Sequence, residues 1–186
     1  MNETKGRIFV ISGPSACGKN TVYEGVLQKS SQIMQTVSAT TRAPREGETN
    51  GVDYYFISRE EFDERVANGD FVEYVQYGAN YYGTLKTEVS RILALDKTVL
   101  LIIDVNGAKS IKEAFPEAVT VFLLPPSMEV LKKRIVSRGQ NSPEEIACRL
   151  KIAEQEMQCK DDFDYRVVND DLDVCIQEVT AIIANQ

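Results

Sequence analysis

The stretch Gly13-Pro14-Ser15-Ala16-Cys17-Gly18-Lys19 carries the most specific chemistry in the sequence. Glycine at both ends lets a backbone curl until successive N–H groups point inward at an anion, and a lysine directly after the second glycine can reach a terminal phosphate. The apolar run Ile8–Ser12 ends where this loop begins, and a helical pattern over Lys19–Ser30 starts where it ends. This is the setting a P-loop requires, because the helix N-terminus adds its partial positive charge to the cradle. The residue after Lys19 is Asn20, where the general pattern has Ser or Thr to hold Mg2+, and the hydroxyl arrives one position later at Thr21. Either Thr21 supplies the metal-directed hydroxyl, or Mg2+ is held mainly by phosphates and water, which that ion tolerates.

A second anion site follows. After a predicted strand Met34–Ser38 come Thr40-Thr41-Arg42-Ala43-Pro44-Arg45 and then Tyr54. Two arginines three apart can converge on one small anion, since guanidinium forks match phosphate geometry, and Tyr54 can add a phenolic donor. More basic residues gather on two predicted helices, with Lys132, Lys133, Arg134 and Arg138 in Met128–Arg138 and Arg149 and Lys151 in Pro143–Gln158. Those charges read either as cationic faces serving a phosphate or as solvated helix faces laced by i,i+4 ion pairs. An anion site beside a P-loop suggests that one phosphorylated molecule is placed against another.

Composition narrows the chemistry further. The 186 residues include no histidine, so no Ser-His-Asp triad, histidine base or HExxH zinc site can be built. With 21 Lys+Arg against 28 Asp+Glu the net charge is −7, which gives no broad attraction to nucleic acid or anionic membranes but leaves room for a local cationic pocket. Cys17, Cys148, Cys159 and Cys175 lack CxxC spacing and read as reduced thiols. The apolar run before Gly13 is too short for a signal or spanning segment, so a cytoplasmic protein is expected.

The elements that must position these residues follow an α/β order. Ile8–Ser12, Val99–Ile103 and Val119–Leu124 are continuous apolar runs, as expected of strands covered on both faces of a parallel sheet, and helical patterns follow the first two. Asp53 to Thr84 differs: a strand at Asp53–Ile57, a short helix opened by a Ser58/Glu61 capping box and ending near Gly69, then Phe71–Tyr77 and Tyr81–Thr84 as an antiparallel pair. Pro125-Pro126 stops the preceding strand, and Ser127 can cap the next helix.

Ser38-Ala39-Thr40-Thr41-Arg42-Ala43-Pro44-Arg45-Glu46-Gly47-Glu48, followed by Gly51-Val52-Asp53-Tyr54-Tyr55-Phe56, resembles the GMP-binding signature of guanylate kinases. The resemblance continues through Phe71-Val72-Glu73-Tyr74, Asn80 to Thr84, Ile103 to Gly107, Leu131 to Arg134 with Arg138-Gly139, and Val168 to Leu172, from about Lys5 to the C-terminus. It implies a P-loop nucleotide-kinase fold in one domain. The core would be about 1–36, 93–125 and 161–186, with a small mixed β GMP-binding region at about 37–92 and a helical lid at about 126–160. It also implies that ATP, with Mg2+, binds Gly13, Pro14, Ser15, Ala16, Cys17, Gly18, Lys19, Asn20 and Thr21, together with Arg134, Arg138 and Asn169. Arg42, Arg45, Tyr54 and Tyr82 would hold the GMP phosphate; Ser38, Glu73 and Thr84 would read the base; and Asp104 would stand beside the GMP. Asn169 and Asp170 would lie near adenine, although Asp170 reads nearly as well as a helix cap.

The expected reaction is ATP + GMP → ADP + GDP, with dGMP a second acceptor, in purine nucleotide metabolism. Lys19, Arg42, Arg134, Arg138 and Arg149 would supply positive charge and alignment, since an ionised phosphate nucleophile needs no base. A monomer or homodimer binding neither nucleic acid nor membrane is expected. Three positions depart from the family: Ile102 where an acidic residue is common, and Ala16 and Asn20 where glycine is frequent. If position 16 needs φ > 0, Ala16 costs roughly 1–2 kcal/mol. Two other readings are a non-catalytic guanylate-kinase-like module, which would expect a lost P-loop lysine, and a phosphotransferase with another phosphorylated acceptor, against which Glu73 with Thr84 argues.

Overall fold

The computed structural model describes residues 6–137 and 142–186. Its central sheet is built from β1 (Ile8–Ser12), β2 (Ile33–Gln35), β7 (Thr98–Ile102), β8 (Val119–Leu124) and β9 (Tyr165–Val168), all parallel in the order β2-β7-β1-β8-β9. β1 sits in the middle, with Phe9 paired to Leu100 on one side and Val119 on the other. Every residue of β1 is buried, because helices cover both faces. Its side chains alternate between two cores. Phe9 and Ile11 join Val22 and Val26 of α1 (Lys19–Leu27) and Ile176 and Val179 of α7 (Leu172–Ala184). Ile8 and Val10 join Val89 and Ile92 of α3 (Lys86–Leu93) and Ala108 and Ile111 of α4 (Val105–Ala114). Each fully buried side chain of this size contributes about 1.5–3 kcal/mol. The α1–α7 contact is close enough that a Cβ on Gly25 would collide with the Ile176 side chain.

A second, mixed sheet contains β3 (Ala39–Thr40), β4 (Tyr55–Phe56), β5 (Phe71–Tyr77) and β6 (Asn80–Leu85) in the order β4-β3-β6-β5. β3 and β4 are parallel, and the other pairs antiparallel. The β5–β6 hairpin closes through Gly78-Ala79 between the paired Tyr77 and Asn80, with Gly78 at φ 61°. Its small core stacks Phe62 of α2 (Arg59–Ala67) on Phe71, ring centroids 4.5 Å apart. Ser58 caps α2 by accepting the Glu61 N–H. α3 is not among the elements expected from the sequence: Val89, Ile92 and Leu93 do share one face, but eight residues are a short run in which to read a helical period.

α5 (Met128–Ser137) buries Leu131 and Ile135, and Ser127 accepts the Val130 N–H at its start. α6 (Pro143–Gln158) opens with a complete capping box, in which Ser142 and Glu145 each bond the other's backbone N–H, and buries only Ala153. No helix among the described residues is long and apolar enough to cross a membrane.

Candidate active site

β1 delivers the chain to Gly13, where a φ of 142° and the absence of a Cβ, which would strike the Leu123 carbonyl, permit the turn. Ala16 then takes φ 66° and Gly18 φ 95°, so the loop does demand a left-handed residue at position 16. Lys19 folds back over the loop, its Nζ donating to the carbonyls of Gly13 at 2.6 Å and Pro14 at 3.1 Å. The Cys17 carbonyl accepts from the Asn169 side-chain amide at 2.8 Å and from Arg134 Nη1 at 3.4 Å, while Arg134 Nη2 reaches the Asn169 carbonyl at 3.2 Å. The loop is thereby tied to α5 and to the turn after β9. Burial pushes the Cys17 thiol up against the opposing pull of Lys19, leaving it an inert part of the core.

A cavity of about 450 Å³ opens in front of this loop. Lys19 and Asn20 line one side, Ser38, Glu73, Tyr82 and Thr84 the other, and Ile102 and Asp104 the floor. Glu73 and Thr84 face each other across the β5–β6 ladder, and the Thr84 hydroxyl donates to Glu73 Oε1 at 2.6 Å. Burial raises the Glu73 pKa; the Thr84 bond opposes this, and the nearby Asp104 charge adds to it. A half-buried carboxylate with one oxygen already bonded presents an acceptor matched to paired N–H donors. Asp104 also caps α4, accepting the Gly107 N–H at 2.7 Å.

Beyond the cavity, Arg42 lies near the Tyr54 and Phe56 rings, 5.5 and 5.7 Å from their centroids, and Tyr54 packs edge-on against Tyr82. Its Nη2 pairs with Glu48 Oε1 at 2.7 Å, and Glu48 Oε2 accepts the Arg45 N–H at 2.7 Å. The Glu48 bond raises the Arg42 pKa, and the same bond holds Glu48 below the ordinary carboxylate range.

A P-loop lysine and the half-buried Glu73 bonded to Thr84 thus share one cleft. A family model described as guanylate kinase matches residues 5–186. The chain belongs to the guanylate kinase family. It is 47% identical over 178 residues to a guanylate kinase of Trichormus variabilis, covering 96% of this chain and 89% of the relative. To one from Synechocystis it is 44% identical over 186 residues, covering 100% and 97%. A crystal structure of guanylate kinase from Anaplasma phagocytophilum matches with TM-score 0.74 at 33% identity, over 97% of this chain and 85% of that one. Shikimate kinase from Bacteroides thetaiotaomicron, at 12% identity and TM-score 0.52 over 96% and 98% of the two chains, shares the fold alone.

Within this guanylate kinase scaffold the sequence-predicted residues are gathered unevenly. Ser38, Glu73, Tyr82, Thr84, Asp104, Lys19 and Asn20 meet at one cavity. Tyr54 and Arg42 stand together beside it, whereas the Arg45 residue is exposed and joins through its backbone N–H. Thr21 is exposed on α1 while Asn20 lines the cavity, so the side chain directed there is an amide and not a hydroxyl. Arg134 is engaged by backbone carbonyls, Arg149 is half-buried on α6, and Lys132 and Lys133 are exposed. Arg138 lies outside the described residues. The Asn169 amide bonds the P-loop backbone, and Asp171, one place beyond Asp170, caps α7. Val75 and Tyr77, which the alternation of β5 puts on the inward side with Glu73, are 42% and 71% exposed along the cavity wall. Three carboxylates without a role in the sequence reading also touch this region: Glu48 on Arg42, Glu156 on the Ser15 N–H, and the buried Glu88 under the second sheet. Glu48 has a local signal, six residues from its partner in an Arg- and Gly-rich loop, whereas the other two have none.

Proposed function

We propose that the chain transfers the terminal phosphoryl group of ATP to the phosphate of GMP, releasing ADP and GDP, with dGMP a second acceptor. The observation that carries this reading is the single cavity shared by Lys19 and the Glu73–Thr84 pair. Guanine offers N1–H and N2–H₂ donors side by side, which suit Glu73. Adenine has an acceptor at N1 and would leave that carboxylate unpaired, the strong form of discrimination. Residues 13–21 with Lys19 bind the ATP phosphates. Arg42, Arg45, Tyr54 and Tyr82 hold the acceptor phosphate in line, with Ser38 and Asp104 beside its base and sugar. Arg134, Arg138 and Arg149 belong to a lid of about residues 126–160, Asn169 supports the ATP side, and residues 37–92 form the acceptor region.

The nucleophile is a phosphate oxygen already ionised at neutral pH. It forms the new P–O bond as the bond to the ADP oxygen breaks, so no side chain moves a proton. The protein supplies alignment and positive charge, in keeping with the absence of histidine. Among the described residues no group of three or more acidic, histidine or cysteine side chains could cage a metal. Asn20, which lines the cavity, would instead hold a Mg2+ ion through its water shell, and such an ion would supply positive charge to the bound phosphates. The four free thiols fit a reducing cytoplasm.

The test is ADP release from Mg-ATP with GMP, dGMP, AMP, CMP and UMP as acceptors, with GMP expected to dominate. Lys19→Ala should lower the GMP-dependent rate by about 10³-fold, the cost typical of removing a charge that stabilises phosphoryl transfer. No GMP-dependent turnover would remove the reading, and turnover surviving in Lys19→Ala would remove its mechanism.

A further inference from the structure

Glu156 sits in the last full turn of α6, far along the chain from the P-loop, yet its Oε2 accepts the Ser15 N–H at 3.2 Å across a sequence separation of 141 residues. Ser15 belongs to the curled segment between Gly13 and Gly18, whose amides are the anion-binding groups of such a loop. Burial raises the Glu156 pKa, while the neighbouring Lys19 charge and the Ser15 bond favour the ionised form and Asp104 opposes it. The carboxylate is therefore held beside Lys19 and a loop amide at a desolvation cost, on an arm whose only buried residue is Ala153. Lys19, the cation beside it, is itself engaged by two loop carbonyls. A carboxylate oxygen has the charge sign and acceptor geometry of a phosphate oxygen.

We propose that Glu156 is an intramolecular stand-in for phosphate, occupying the Ser15 N–H at the mouth of the P-loop so that a triphosphate enters only by displacing it. The proposal rests on the reading of the loop as the ATP site. Its consequence is quantitative: the loop's apparent dissociation constant for a polyphosphate is the intrinsic one divided by the fraction of molecules in which Glu156 has let go. A contact formed in nine molecules of ten makes that factor about tenfold. GMP, which binds against the second sheet, meets no such competitor from α6.

The experiment compares the full chain with Glu156→Gln, which keeps the side-chain shape and removes the charge. Calorimetric titrations use Mg-ATP without GMP, inorganic tripolyphosphate, and GMP alone. The expected result is tightening by about three- to tenfold for both ATP and tripolyphosphate, with the GMP constant moving less than twofold. Glu156→Ala, which has no acceptor at all, should tighten both polyphosphates at least as much, and a thermal melt of each variant checks that it is folded. Unchanged or weaker polyphosphate binding in folded Glu156→Gln would overturn the proposal, as would equal tightening for GMP, which would mark a general charge effect. Binding and turnover separate the two readings. A Glu156→Gln chain that grips tripolyphosphate harder while the parent transfers nothing to GMP would sink the proposed function and keep the stand-in; the reverse pattern would do the opposite.

Discussion

The two proposed anion sites of this chain find their partners at different ranges. Arg42 is paired by Glu48, six residues on, within a loop that also aims the Arg45 N–H at the same carboxylate. The P-loop instead draws on three distant elements: Arg134 from α5, Glu156 from α6, and Asn169 from the turn after β9, the last 152 residues from Cys17. The proposed acceptor site is thus nearly self-contained in sequence, and the donor site is assembled by the tertiary fold. Damage to the first should stay local and leave the second able to bind, whereas movement of α5 or α6 changes the second directly.

Glu73 gives the largest expected effect on the acceptor side. Replacing it by Ala removes the half-buried acceptor proposed for two guanine donors, and hydrogen bonds to a charged group are worth about 1.5–3 kcal/mol each. The expected outcome is a loss of about 10²-fold or more in kcat/KM for GMP, with the poor acceptor AMP changed by less than about threefold. Equal losses for both would make Glu73 a structural residue. Next comes Glu88, which holds the acceptor region to α3: its carboxylate accepts from the Val37 N–H, the Tyr55 hydroxyl and Arg91. Burial alone would push its pKa up, but these bonds win and hold it below the ordinary value. Its contribution to stability is therefore complete above the unfolded carboxylate pKa of about 4.3 and is lost as pH falls through the lower folded value. Glu88→Gln should cost about 1–3 kcal/mol at pH 7 by urea denaturation, and its deficit should shrink on acidification. A deficit that is constant with pH would mean the charge is irrelevant.

Arg42→Lys tests the independence of the sites. A lysine keeps the charge but loses the planar fork, so KM for GMP should rise by about tenfold, while ATP affinity measured without GMP stays within twofold. A comparable loss of ATP affinity would break the distinction between a local and an assembled site. The same distinction explains what is legible in the sequence. Lys19 and Arg42 sit in segments whose spacing announces phosphate chemistry, Glu73 is marked by the family resemblance, and β1, β5, β8 and α6 declare themselves by continuous apolar runs, a Gly-containing hairpin and a Ser-Pro-Glu-Glu opening. α3 does not, because its apolar residues Val89, Ile92 and Leu93 share a face over only eight residues, too short a run for the helical period to stand out directly after β6. Nor do Glu156 and Glu88: in the sequence each is one acidic residue among others on a helix, and only the crossover order of the sheet brings α6 to the P-loop and α3 to Tyr55. Asn169 is intermediate, its place after a strand being readable but its bond to the Cys17 carbonyl not.

The smallest expected effect returns to the loops themselves. The acceptor loop takes its positive φ values with glycine, at Gly47 (88°) and Gly51 (80°), whereas the P-loop takes one of its own with Ala16 at 66°. An L residue held there costs about 1–2 kcal/mol. Ala16→Gly removes that strain but also frees the unfolded chain, which returns about 0.4–1 kcal/mol of the gain. Ala16 also packs against the core beneath α1, so its methyl offsets a little more. The net expectation is a gain of at most about 1 kcal/mol, seen as a small rise in the urea midpoint with no change in slope. A loss of stability instead would show that the methyl's packing outweighs the backbone strain, and that the donor loop, like the site around it, owes its form to tertiary contacts more than to the local preferences of its own residues.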